Sequence, residues 1–129
     1  MQYAGGLNMV KGVGLDLCEI ARMEQLLADD RFLNRYFTDS EIAYIRSKGN
    51  HAAQTMAGIY AAKEAVSKAL GSGIVFDLKE VCILHDEAGA PGCALTGKAE
   101  ALGKGDRFLL SITHEGGTAA AVCIREDSH

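Results

Sequence analysis

Apolar positions along this chain switch between two periods, and each switch marks an element. From Val10 to Leu17 the segment VKGVGLDL alternates, with Val13, Leu15 and Leu17 on one face and Gly12, Gly14 and Asp16 on the other. Period two is that of a strand, here with one apolar face and one nearly bare face. Helical spacing follows at once: Ile20, Met23 and Leu27 share a stripe, and Asp29-Asp30 closes it. Thr38, with Glu41 three residues later and Ile42 and Ile45 beyond, carries the signature of a capping box. It predicts a second helix from about Asp39.

The longest periodic segment runs from about His51 to Leu70 and stops at Gly71-Ser72-Gly73. Ala57, Ala61, Ala62, Ala65 and Ala69 stand at helical spacings within it, so other elements can approach it closely, as they would a central helix. A strand at Val81 to Leu84, a turn at Asp86-Glu87-Ala88-Gly89 and a strand around Cys93 to Leu95 read as a hairpin. Thr96 then caps a short helix through Leu102. Two strands, Phe108 to Thr113 and Thr118 to Ile124, end the pattern, joined by Glu115-Gly116-Gly117. The order predicts an α+β fold, a mostly antiparallel sheet packed on a long central helix.

Composition narrows the picture. A length of 129 residues suits one domain, expected over 9–129, with the patternless residues 1–8 a frayed arm or an expression remnant. Thirteen Lys and Arg against seventeen Asp and Glu leave no surplus of positive charge for a phosphate backbone, so nucleic acid is not the expected partner. No membrane partner is expected either, because no apolar run approaches the roughly 20 residues of a span. Cys18, Cys82, Cys93 and Cys123 show no zinc-like spacing and lie in apolar runs. Buried free thiols in a soluble cytoplasmic protein are the expectation, with two structural disulfides the alternative.

Three groups of residues could carry chemistry. Asp16 is a carboxylate in a strand with glycines at the two preceding positions of its own face, which leaves room for a ligand; an exposed strand aspartate would look the same. Glu64 and Lys68 stand four apart on the central helix, the spacing of a surface ion pair. If Glu64 instead faces Asp16, two carboxylates would offer hard oxygen ligands to Mg²⁺, and Lys68 would reach a phosphate. Ser111 and Thr113 share a face at the end of a strand and His114 opens the glycine turn after it, where a histidine serves as readily for capping as for catalysis.

These segments, in this order, resemble the small phosphopantetheinyl transferases of the holo-[acyl-carrier-protein] synthase type. The matching pieces are Gly12 to Leu17 with Glu19 and Arg22; Phe37-Thr38 with Glu41; Ala61-Ala62-Lys63-Glu64-Ala65 through Lys68 to Ile74; Asp86-Glu87 with Gly89 and Pro91; and Ser111 to His114 with Ala119 and Ala121. The resemblance implies a homotrimer with active sites between subunits. It also implies Mg²⁺-dependent transfer of 4'-phosphopantetheine from coenzyme A to a serine of apo acyl carrier protein, in support of fatty acid biosynthesis. On this pattern Asp16 and Glu64 match the metal ligands and Lys68 a catalytic lysine near the diphosphate. Lys68, Gly71, Ser111, Thr113 and His114 fall in segments that contact coenzyme A, and Arg22 matches a position facing the carrier protein. Ile59 departs from the pattern, standing where many relatives have arginine. A coenzyme A- or nucleotide-binding module without catalysis, or a structural oligomer built on the alanine-rich helix, are the competing readings from other classes.

Overall fold

In the computed structural model of the chain, residues 9–71 and 75–128 are described. The expectation for residues 1–8 and the Ser72-Gly73-Ile74 end of the glycine motif lie outside the described residues. The order is β1 (Val10–Glu19), α1 (Ile20–Leu26), α2 (Asp30–Tyr36), α3 (Asp39–Arg46), α4 (Ala52–Leu70), β2 (Val81–His85), β3 (Pro91–Leu95), α5 (Gly97–Gly103), β4 (Arg107–Glu115) and β5 (Thr118–Glu126). Strands β1, β5 and β4 form one antiparallel sheet in that order, and β2 and β3 form a separate hairpin. Helix α4 lies across the three-stranded sheet, with α1 and α3 also packed against it.

Close approach of backbones decides which way the sheet faces. A Cβ built on Gly14 would overlap the Ala65 carbonyl oxygen, and one on Gly12 would overlap that of Ala69. The bare face of β1 therefore lies directly on the alanine stripe of α4, with no side chain between them. Val13, Leu15 and Leu17, the apolar side of β1, are 60%, 60% and 65% exposed on the outer face. By register the same face carries Ile124, Val122 and Ala120 of β5, then Leu109, Ser111 and Thr113 of β4.

Elsewhere the pattern is realised with small shifts. Thr38 and Glu41 form both halves of the capping box of α3. Asp29, expected to close the first helix, instead opens α2, its side chain accepting from the Arg31 and Phe32 amides at 3.0 and 3.1 Å. An aspartate signals an N-cap as readily as a break, which is why α2 was hidden. Thr96 occupies the N-cap position of α5 without a side-chain capping bond. His114 sits within β4 and not in the turn.

None of the four cysteines forms a disulfide. Burial pushes the Cys123 thiol up to about 12 and the Cys93 thiol up to about 11, and raises Cys18 as well. These three remain protonated and unreactive at neutral pH.

Arg125 locks the far end of α4. Its guanidinium donates to the carbonyls of Leu70 and Leu102 at 3.3 and 2.8 Å, the last turns of α4 and α5. Asp106 Oδ2 holds it in place at 2.8 Å and also takes Lys11 at 2.8 Å. The hydrogen bond from Lys11, with further help from Arg125, holds the Asp106 carboxyl below the usual carboxylate range despite its burial. A depressed carboxyl contributes stability above its unfolded value of about 3.9, and that contribution is lost as pH falls through the lower folded value. Asp106→Asn should therefore lower the urea midpoint at pH 7, and the gap to the parent should close toward pH 2. A gap unchanged by pH would contradict the assignment.

Candidate active site

The site grows from the contact between β1 and α4. Because Gly12 and Gly14 bring the two backbones together, Asp16, next on the same face of β1, arrives beside the helix at the level of Glu64 and Lys68. Lys68 Nζ donates to Asp16 Oδ1 at 3.1 Å and to the Leu15 carbonyl at 2.9 Å. The cation on α4 thus bonds across to the strand, and no Glu64–Lys68 ion pair forms among the described residues. Burial pushes the Glu64 carboxyl up, the charge of Asp16 pushes it further, and Lys68 and Arg22 oppose the shift. Two like charges held together in partial burial cost stability. Such an arrangement is expected where a bound cation relieves it.

Glu64, Ser67, Lys68 and Gly71 form one wall of a cleft of about 900 Å³, within the range of small-molecule sites. Arg35 and Tyr36 of α2, Lys98 of α5, Glu80 and the segment from Val75 to Leu78 complete it. Gly71 ends α4 with φ of 128°, a backbone conformation that favours glycine. Arg35, Lys68 and Lys98 supply cations suited to phosphate groups. No group of three or more metal-ligating side chains occurs among the described residues. Two carboxylates fit Mg²⁺ better than an ion needing a full protein cage, because Mg²⁺ keeps waters and takes its remaining ligands from substrate phosphates.

The expected residues divide into two groups. Asp16, Glu64, Lys68 and Gly71 come together, and Arg22 lies within electrostatic reach of Glu64 with its guanidinium 5.5 Å from the centre of the Tyr60 ring. His114 instead lines a separate cavity of about 220 Å³, with Tyr44, His85, Pro91 and Ile59 among its neighbours. Ser111 and Thr113 face outward with the apolar side of the sheet. Within a single chain the nucleotide segment and the carboxylate pair do not share a cleft.

Sequence reading missed Ser67, Arg35 and Lys98 as cleft residues. Ser67 was discoverable, since Glu64, Ser67, Lys68 and Gly71 follow the i, i+3, i+4, i+7 rule of one helix face. Arg35 and Lys98 come from distant elements, and no local pattern marks them.

Residues 12–123 match the 4'-phosphopantetheinyl transferase superfamily. The holo-[acyl-carrier-protein] synthase of Treponema denticola is 43% identical over 122 residues, covering 92% of this chain and 99% of that protein. The crystal structure of a holo-(acyl-carrier-protein) synthase from Bacillus anthracis in complex with CoA (3',5'-ADP) superposes with a TM-score of 0.77 at 32% identity, covering 93% of this chain and 99% of that one. The Helicobacter pylori enzyme in complex with coenzyme A gives 0.74 at 30% identity, over 88% and 98% of the two chains. The match runs from within β1 into β5, and the chain belongs to the 4'-phosphopantetheinyl transferase superfamily.

Proposed function

We propose that the chain acts as a holo-[acyl-carrier-protein] synthase. It moves the 4'-phosphopantetheine arm of coenzyme A onto a serine hydroxyl of apo acyl carrier protein and releases adenosine 3',5'-bisphosphate, in support of fatty acid biosynthesis. The observation that carries this reading is that Asp16 bonds Lys68 and acts on Glu64 through its charge, while Glu64 and Lys68 line a cleft that also carries Arg35 and Lys98.

Asp16 and Glu64 would hold Mg²⁺. When bound there, the ion supplies neutralising charge to the diphosphate as the phosphoryl group is transferred. Lys68, bonded to Asp16 without substrate, turns toward the diphosphate when it enters. Its ammonium stabilises the departing bisphosphate oxygen and donates a proton to it as the P–O bond breaks. One of the two carboxylates accepts the proton of the attacking serine as the new O–P bond forms. Arg35 and Lys98 anchor phosphates from the opposite wall, and Arg22 offers the acidic carrier protein a cation near the site.

We further propose a homotrimer in which each site is completed by a neighbour. Two observations support it. The outer face of the three-stranded sheet presents Val13, Leu15 and Leu17 to solvent beside Val122 and Ile124, an apolar patch of the kind that marks an interface. Ser111, Thr113 and His114 lie away from their own chain's cleft, where a neighbour's cleft could meet them. Leu15→Glu, which puts a charge at the middle of this face, should weaken association by about 2 kcal/mol or more per interface. Sedimentation should then report monomers, and transfer should fall with the loss of trimer. A monomeric parent, or a fully active monomeric variant, would overturn the trimer.

The function itself is tested by incubating the protein with apo carrier protein, coenzyme A and Mg²⁺ and weighing the carrier protein by mass spectrometry. A phosphopantetheine adduct that forms only with Mg²⁺ is the expected outcome. Thermal stabilisation by coenzyme A that is indifferent to Mg²⁺, with no adduct, would favour a binding module.

A further inference from the structure

Next to Glu64 in the chain, Lys63 points the other way and is fully buried together with its partner Glu41. Lys63 Nζ donates to Glu41 Oε1 at 2.7 Å and to the Val81 carbonyl at 2.7 Å, and it lies 5.6 Å from the centre of the Phe37 ring. Glu41 is equally saturated: Oε1 also accepts from the Thr38 amide at 2.8 Å, and Oε2 accepts from the Ile83 amide at 2.7 Å. One ion pair thus ties α4 to the start of α3 and to β2.

A buried pair of this kind is a poor source of stability, because desolvation offsets much of its attraction. What it does provide is geometric definition, since both charges must keep all their partners and only one arrangement of the three elements allows that. Its position on the helix gives this definition a use. Successive residues of an α-helix are turned by about 100°, so the stripe of Glu64 and Lys68 lies between Lys63 on one side and Ala65 on the other. Ala65 is pressed against Gly14 of β1, and Lys63 is pinned to α3 and β2. The helix is held from two sides, with the catalytic stripe between.

We infer that the Glu41–Lys63 pair is a positioning device for Glu64: it fixes the rotation of α4 and thereby the placement of the Glu64 carboxylate opposite Asp16. The inference rests on the transferase reading for its catalytic consequence but not for its effect on metal affinity. A rotation of about 10° would move a carboxylate some 6 Å from the helix axis by roughly 1 Å, and displacements of that size impair catalysis and ligation.

The test compares the intact protein with Glu41→Gln and with Lys63→Met combined with Glu41→Gln, a pairing that removes both charges together. Ile45→Val, a core change in α3 that leaves both charges in place, controls for loss of stability alone. Mn²⁺ affinity in the presence of coenzyme A is read by calorimetry, alongside kcat and the KM for carrier protein, all on protein shown folded by circular dichroism and urea titration. The expected result is about tenfold weaker Mn²⁺ binding and at least a tenfold lower kcat in the paired variant, with smaller effects of the same sign in Glu41→Gln. The KM for carrier protein should stay within twofold, and Ile45→Val should match the parent throughout. Folded variants with Mn²⁺ affinity and kcat within twofold of the parent would overturn the inference. If the paired variant does not fold, Glu41→Gln decides by the same criterion. A parent that binds Mn²⁺ and coenzyme A but modifies no carrier protein would refute the transferase reading, and the Mn²⁺ comparison would still judge the pair.

Discussion

Glu64→Gln is expected to leave a protein that is more stable at pH 7 and lacks nearly all transferase activity. The two effects have one cause. Burial and the facing charge of Asp16 hold the Glu64 carboxyl above the usual range, so its ionised form is disfavoured in the folded chain. A raised carboxyl favours the fold while protonated and costs stability as pH rises through its unfolded value of about 4.3. Glutamine removes that cost, so the urea midpoint should rise at pH 7 and match the parent near pH 3. The same change replaces one of the two carboxylates expected to meet the cation with a neutral amide, and turnover should fall at least about a hundredfold, as when a transition-state charge stabiliser is lost. Asp16→Ala should lower turnover comparably, without the gain in stability, because Lys68 loses its partner at 3.1 Å. Near-normal rates in both variants would sink the assignment of this pair.

Gly14→Ala is expected to be severely damaging, its Cβ meeting the closest obstacle among the described glycines. Its Cβ would overlap the Ala65 carbonyl oxygen and stand 3.0 Å from the Ala69 nitrogen. Both obstacles are backbone, so neither can rotate aside as a side chain would. Relief requires β1 to move off α4, which undoes the contact that places Asp16 beside Glu64. Overpacking of cores costs about 1–3 kcal/mol, and a clash with helix backbone belongs at or beyond the top of that range. Loss of Mg²⁺-dependent transfer should accompany the fall in urea midpoint. Gly92→Ala in β3, where a Cβ would meet nothing within 4 Å, supplies the control and should leave both stability and transfer close to the parent. Equal tolerance at the two positions would refute the close-approach account of β1.

Much of this is legible in the local sequence. The strand at Val10, the capping box at Thr38 and Glu41, the alanine-rich helix and both hairpins follow from spacing and cap chemistry, which act within a few residues. Asp16 draws attention for a local reason: two glycines ahead of it on the same face announce that something comes close, and α4 does. Helix α2 was hidden because an aspartate pair serves equally as a stop and as an N-cap. The resemblance supplied Glu64 and Lys68 with roles that their spacing alone left open between a surface ion pair and a site.

Other features depend on elements that meet only in three dimensions. Alternation shows that β1 has two faces, but not which is inside; the glycine face turned inward because α4 offers alanines against which backbone can pack directly. The same packing turned Val13, Leu15 and Leu17 to solvent and left the outer face of the sheet apolar. Glu41 reads in the sequence as a capping residue, and only the fold shows its second oxygen bound to the Ile83 amide and its first shared with Lys63. Arg35 and Lys98 reach the cleft from α2 and α5, and His114 lies in a different cavity from Glu64. The chain by itself determined most of the elements, the capping box of α3 and several of the residues able to do chemistry, because those depend on neighbours a few positions away. Which faces are buried, and which of those residues share a site, were decided by tertiary structure, because close packing between distant segments has no counterpart in local spacing.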